Sequence, residues 1–142
     1  MANTFRLLVA AIVACGIALP AAAQTGVGVA SVTVGQPRGT PPAQTERVLR
    51  VGVDIFANER IATGAADRAH LVFLDGSAVT VGPNSDLVID RFVYDPATRT
   101  GDLAMSATRG AFRFVGGAVS KKSEVTVRTP GATLGILSLI HI

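Results

Sequence analysis

Ser77 is the residue of this chain best placed to act as a nucleophile, with His70 as the only base nearby. An activated serine needs a base within hydrogen-bond reach and a backbone that presents its Oγ. Ser77 has neither a surrounding glycine-x-serine-x-glycine elbow nor a helix after it to build an oxyanion site. Asp75-Gly76-Ser77 instead carries turn chemistry, a short polar side chain followed by a residue that tolerates positive φ. Asp86, Asp90, Asp95 and Asp102 could offer oxygens to calcium, but they lack the dense alternation of a calcium loop. His70 has no partner ligand, since the second histidine, His141, lies in the last residues of the chain. Gly26-Val27-Gly28 with Ser31 has the glycines of a phosphate loop without a preceding strand. Phe112 and Phe114 are paired as in an RNA-binding strand, yet one Tyr and no Trp fit core residues better. The chain therefore reads as non-enzymatic, with no catalytic, cofactor-binding or metal-binding residues and no nucleic-acid partner.

The first residues read as an address. Arg6 begins a basic start, Leu7 to Leu19 is uncharged and apolar, Pro20 breaks the run, and Ala21-Ala22-Ala23 supplies small residues before Gln24. Residues 1–23 are expected to be a signal peptide, which places the protein in the periplasm or outside the cell. The apolar run of 13 residues falls short of the roughly 18 that a membrane span needs, and no later segment qualifies. A competing pattern, Ile12-Val13-Ala14-Cys15, would make Cys15 a lipidated N-terminus. Cleavage after Ala23 takes 23 of the 142 residues and leaves 119, enough for one domain with a modest core and without cysteine.

Charge is spread unevenly. Residues 24–105 carry seven basic and nine acidic side chains, whereas residues 106–142 carry Arg109, Arg113, Lys121, Lys122 and Arg128 against Glu124 alone. These five are the candidate contacts for a protein partner, the alternative being lysines and arginines that guard strand edges against pairing.

The elements that must position these groups are short strands. Residues 24–45, rich in Gly, Pro and Thr, read as a flexible leader. The domain is expected over residues 46–136, opening on Val48, Leu49, Val51, Val53, Ile55 and Phe56. Turns are expected at Thr63-Gly64, Asp75-Gly76-Ser77 and Gly82-Pro83, and a hairpin over Leu87 to Ala107 turns at Asp95 to Gly101. Apolar residues recur at spacing two, and Gly or Pro interrupts too often for a long helix, so the fold is expected to be all-β. Val79-Thr80-Val81 and Val125-Thr126-Val127 echo each other at an offset of 46 positions, as the coils of a β-solenoid would; a β-sandwich is the alternative.

One further pattern unites these segments. In order along the chain stand Glu59-Arg60-Ile61-Ala62-Thr63-Gly64, Asp75-Gly76-Ser77, Gly82-Pro83-Asn84-Ser85, Thr108-Arg109-Gly110-Ala111-Phe112-Arg113-Phe114 and Thr129-Pro130-Gly131-Ala132-Thr133-Leu134-Gly135-Ile136. The series resembles the FecR domain, the extracytoplasmic part of bacterial iron-signal transducers. That resemblance implies a β-rich domain outside the cytoplasm that relays the occupancy of an outer-membrane transporter to a cytoplasmic sigma-factor regulator. With neither a cytoplasmic regulatory segment nor a membrane helix after residue 23, the sequence is closer to the secreted, stand-alone members. Where such proteins place an arginine and a glycine after the last isoleucine, this chain has Leu137-Ser138-Leu139-Ile140-His141-Ile142, so 137–142 are set apart as the doubtful tail of a truncated gene model. The expected role is a binding or signalling module of the cell envelope that works through protein contacts; the alternative is a structural domain that binds or spaces cell-wall polymer.

Overall fold

The computed structural model describes residues 25–136; the expected signal peptide with Cys15 and the tail 137–142 lie outside the described residues. Among the described residues twelve strands form two sheets. One sheet contains β1 (Gly26–Val34), β4 (Asp54–Phe56), β6 (Arg68–Phe73), β7 (Ala78–Val81) and β10 (Phe112–Val115), in the order β10-β7-β6-β1-β4. The other contains β2 (Arg38–Thr40), β3 (Arg47–Val48), β5 (Arg60–Ala62), β8 (Asp86–Asp95), β9 (Thr100–Arg109), β11 (Val125–Thr129) and β12 (Ala132–Ile136), in the order β12-β11-β9-β8-β5-β2-β3. A single 3₁₀ turn, Val119–Lys121, interrupts the β structure among the described residues.

Alternation decides which side chains meet. Leu71, Phe73, Val79 and Val81 from the first sheet and Leu87, Ile89, Leu103, Met105, Val125 and Val127 from the second fill one shared core. Phe73 and Phe92 stack across it, ring centroids 5.5 Å apart at 19°. In β8 the spacing of two would carry Arg91 inward after Leu87 and Ile89. The register slips between Ile89 and Arg91, so Asp90 stands as an extra, bulged residue. Phe92 thereby returns to the core, and Arg91 reaches Asp102 at 3.0 Å on the solvent side. Asp90 accepts a hydrogen bond from the Ser106 hydroxyl.

Two sheets around a common core are the architecture of a sandwich. The echo between Val79-Thr80-Val81 and Val125-Thr126-Val127 does not mark stacked coils, because β7 and β11 belong to different sheets. A solenoid stacks equivalent strands in parallel, whereas among the described residues only β9 and β11 pair in parallel and every other ladder is antiparallel.

The expected flexible leader is corrected by β1 and β2. β1 sits inside the first sheet between β6 and β4, with Val27 and Ala30 in the core, so the fold begins well before Glu46. Its glycine content misled because Gly28 serves close approach rather than flexibility: a Cβ there would stand 2.4 Å from the Val72 carbonyl oxygen. Valines at 27, 29, 32 and 34 supply the strand propensity that the glycines mask. Ala30→Asp should therefore cost about 3 kcal/mol or more in urea melts, since it buries an unpaired carboxylate. Val32→Asp, on a side chain 55% exposed, should move stability by less than about 0.5 kcal/mol. Equal tolerance of both would return this segment to a loose leader.

Candidate functional site

Four of the five signature segments meet at the two ends of the β7–β10 pair; the fifth, Thr129 to Ile136, runs through the β11–β12 pair of the other sheet. β10 lies antiparallel to β7, with Phe112 opposite Val81 and Val115 opposite Ala78. The residues before β7 therefore face those after β10, and the residues after β7 face those before it.

At the first end, Asp75 and Gly76 turn the chain from β6 into β7. Gly76 has φ +84° with open space where a Cβ would stand, so the turn demands its backbone freedom rather than its small size. Asp75 is buried and fully engaged. Its Oδ1 accepts from the Ser77 N–H at 3.0 Å and from the Ser77 hydroxyl, and its Oδ2 accepts from the Val119 N–H at 3.1 Å. The Asp75 carbonyl also receives the Ala118 N–H at 2.9 Å. Gly117 passes so close that a Cβ would stand 2.3 Å from the Ser77 nitrogen. One carboxylate thus ties the β6–β7 turn to the segment that leaves β10.

At the second end, Thr63 is the fastener. Its hydroxyl donates to the Gly82 carbonyl at 2.6 Å and accepts from the Ser85 N–H at 2.9 Å, while its own N–H reaches the Ser85 carbonyl at 3.0 Å. Ser85 passes the connection on, its Oγ accepting from the Ala111 N–H at 3.1 Å, and the Gly82 N–H donates to the Ala111 carbonyl at 2.8 Å. Gly64 and Pro83 lie in the two loops so joined. Asp67 braces the Thr63-Gly64 loop, accepting from the Gly64 N–H at 2.7 Å and the Gln36 N–H at 2.9 Å.

Two ion pairs flank this end. Arg60 grips Asp86 through both Nε and Nη2. Glu59 is fully buried and accepts from Arg47 at 3.0 Å and from the Phe56 N–H at 2.8 Å, while the Arg47 guanidinium lies 5.3 Å from the Phe56 ring centroid. A buried carboxylate with such partners is costly to strip, because removal of the arginine would leave its charge uncompensated.

The residues that raised the question of chemistry are occupied by structure. The Ser77 hydroxyl is buried against Asp75, and His70 bonds through Nδ1 to Thr80 Oγ1 at 2.8 Å across the β6–β7 ladder. Asp86 holds Arg60, Asp90 holds Ser106, Asp95 receives the Ala97 N–H and Asp102 holds Arg91.

The five candidate partner contacts do not form one cluster. Arg113 stands exposed on β10, in the cross-strand row that runs His70, Thr80, Arg113. With Arg68, Thr80, Gly82, Pro83, Ala111 and Phe112 it lines an open groove of about 330 Å³. Arg109 ends β9 beside Asp86, and Arg128 lies on β11 in the other sheet, opposite Ser106. Lys121 and Lys122 border a different pocket, shared with Arg99 and Ala118. Sequence reading missed Arg68 and Arg99. Arg68 shares the outer face of β6 with His70, a relation visible once the strand register is known; Arg99 sits in a turn at φ +55°, where no periodicity marks it.

The latch at Asp75 has a measurable order of costs. Asp75→Ala leaves three buried donors without their acceptor and should cost about 3 kcal/mol or more. Gly76→Val should cost about 1 to 2 kcal/mol through backbone strain, and Ser77→Ala about 1 kcal/mol. Urea midpoints that rank these three in another order would remove the latch. Acid should act at the second end. Asp67 is held below the ordinary 3.8 by the N–H groups of Gln36 and Gly64, and Asp86 by the Arg60 guanidinium against the opposing effect of burial. Each contributes stability that is full above the unfolded value and lost as pH falls through the lower folded value. The urea midpoint should fall steeply below about pH 4, and Asp86→Asn should lower it at neutral pH while flattening that fall.

No curated protein and no solved structure matches the chain. The family model described as FecR protein matches residues 59–138, which begins at the buried Glu59 and takes in both fastened ends of the β7–β10 pair. That match spans more than half of the 142 residues, and the chain belongs to the FecR family.

Proposed function

We propose that this protein is a cell-envelope signalling module that binds a protein partner along the free edge of β10. The observation that carries the reading is the position of that strand: among the described residues β10 has β7 on one side and no strand on the other. An extended segment of a partner can extend such a sheet through backbone hydrogen bonds, with adjoining pockets reading its side chains. The other free edge of this sheet, β4, has three residues, too short for a stable ladder of this kind.

Charge supports an acidic partner. Arg113 and Arg68 line the groove beside β10 with no carboxylate among its lining residues, so the segment that fits carries acidic side chains. Val115, 50% exposed on the same strand, adds apolar contact. Family membership supports a signalling or regulatory role at the periplasmic side of the envelope. Export through residues 1–23, with cleavage after Ala23, belongs to the same proposal and rests on their sequence pattern. Among the described residues no helix is long and apolar enough to cross a membrane.

Photo-crosslinking inside the envelope tests this reading. A benzophenone side chain replacing Val115 or Arg113 should give one discrete protein adduct, and the same probe replacing Arg128 should give none. Arg113→Glu, placed beside the Val115 probe, should reduce that adduct at least about tenfold, as loss of a charge-assisted contact and a new repulsion require. An adduct formed equally well from position 128, or one indifferent to the charge at 113, would overturn the proposal.

A further inference from the structure

A second surface gathers cations around a pocket. The β8–β9 hairpin turn and the 3₁₀ turn Val119–Lys121 come together, fastened where Lys122 Nζ donates to the Thr98 carbonyl at 2.7 Å. Between them lies a pocket of about 310 Å³ lined by Arg99, Lys121, Lys122 and Ala118. Three of its four lining residues are cations and none is a carboxylate.

Four cations elsewhere are ion-paired, while the side chains of Arg50, Arg68, Arg113 and Arg128 are unpaired among the described residues. Arg38, Arg47, Arg60 and Arg91 each face a carboxylate. The side chains of Arg99 and Lys121 have no ion-pair or hydrogen-bond partner among the described residues, and Lys122 uses one of its three Nζ–H donors on Thr98. Like charges gathered without a counter-charge repel one another, and an oxyanion with several acceptor oxygens relieves that repulsion.

We propose that this pocket binds a multivalent phosphate group. Arg99 offers a planar fork of donors to two oxygens, and Lys121 and Lys122 add point charges from the other wall. The Lys122 bond to Thr98 positions both walls before the ligand arrives, which reduces the ordering that binding requires. This site is separate from the β10 edge: Lys121 and Lys122 follow the far end of that strand, and none of its residues lines the groove beside Arg113. Phosphate of this kind can come free or on a lipid headgroup.

The test is titration calorimetry of the protein with pyrophosphate in a phosphate-free buffer. Wild type should show saturable binding at one site. The pair Arg99→Ala/Lys121→Ala, which removes no hydrogen bond or ion pair of the fold, should weaken it at least about tenfold. The pair Arg109→Ala/Arg128→Ala removes the same charge elsewhere and should leave it within about twofold. Lack of saturable binding by wild type, or equal weakening by both pairs, overturns the proposal. Sedimentation with phosphatidylcholine vesicles containing phosphatidylglycerol separates the two sources. Co-sedimentation lost in the Arg99/Lys121 pair assigns the pocket to a headgroup, and pyrophosphate binding without co-sedimentation assigns it to free phosphate.

Discussion

The Asp75 carboxylate is the constraint on which the arrangement of this sheet depends. A buried carboxylate is tolerable only when its oxygens are supplied with donors, and here they come from Ser77 and from Val119, 44 positions further along the chain. Because one side chain serves both, the β6–β7 turn and the segment leaving β10 cannot move independently. The Thr63–Ser85–Ala111 connections do the same at the opposite end of β7. Held at both ends, β10 remains an ordered edge strand although only four residues of it pair with the sheet.

This accounts for the character of the family signature. Its Thr-Gly, Asp-Gly-Ser and Gly-Pro-Asn-Ser segments look like the residues of a site, being polar, small and closely spaced. Their side chains face one another and the backbone, so they act on position rather than on a ligand. In the proposed readings, recognition falls instead to cations at the rim, Arg68 and Arg113 beside β10 and Arg99, Lys121 and Lys122 at the hairpin turn. Fastening and the proposed recognition would then rest on different residues.

Local signals made part of this legible in the sequence. The β8–β9 hairpin declares itself through alternating apolar residues on either side of a polar, proline-containing turn, and Asp75-Gly76 through its turn chemistry. β1 stayed hidden because Gly28, needed where two backbones nearly touch, has the same local appearance as a linker glycine. The partition into two sheets was also out of reach. The parallel β9–β11 pairing and the assignment of β7 and β11 to different sheets are decided by contacts far apart in sequence, whereas the repeated Val-Thr-Val pattern reports only that each strand has one buried face. The convergence of Arg99 on Lys121 follows from the hairpin folding back against the 3₁₀ turn, which no spacing rule encodes.

Hydrogen–deuterium exchange on Asp75→Ala reports whether one buried carboxylate holds the β10 edge in place. Amides of residues 112–119 should lose protection by about tenfold or more while those of the β8–β9 hairpin keep theirs, because the latch spans the first region and not the second. Uniform loss across both regions, or protection of 112–119 unchanged, would contradict it.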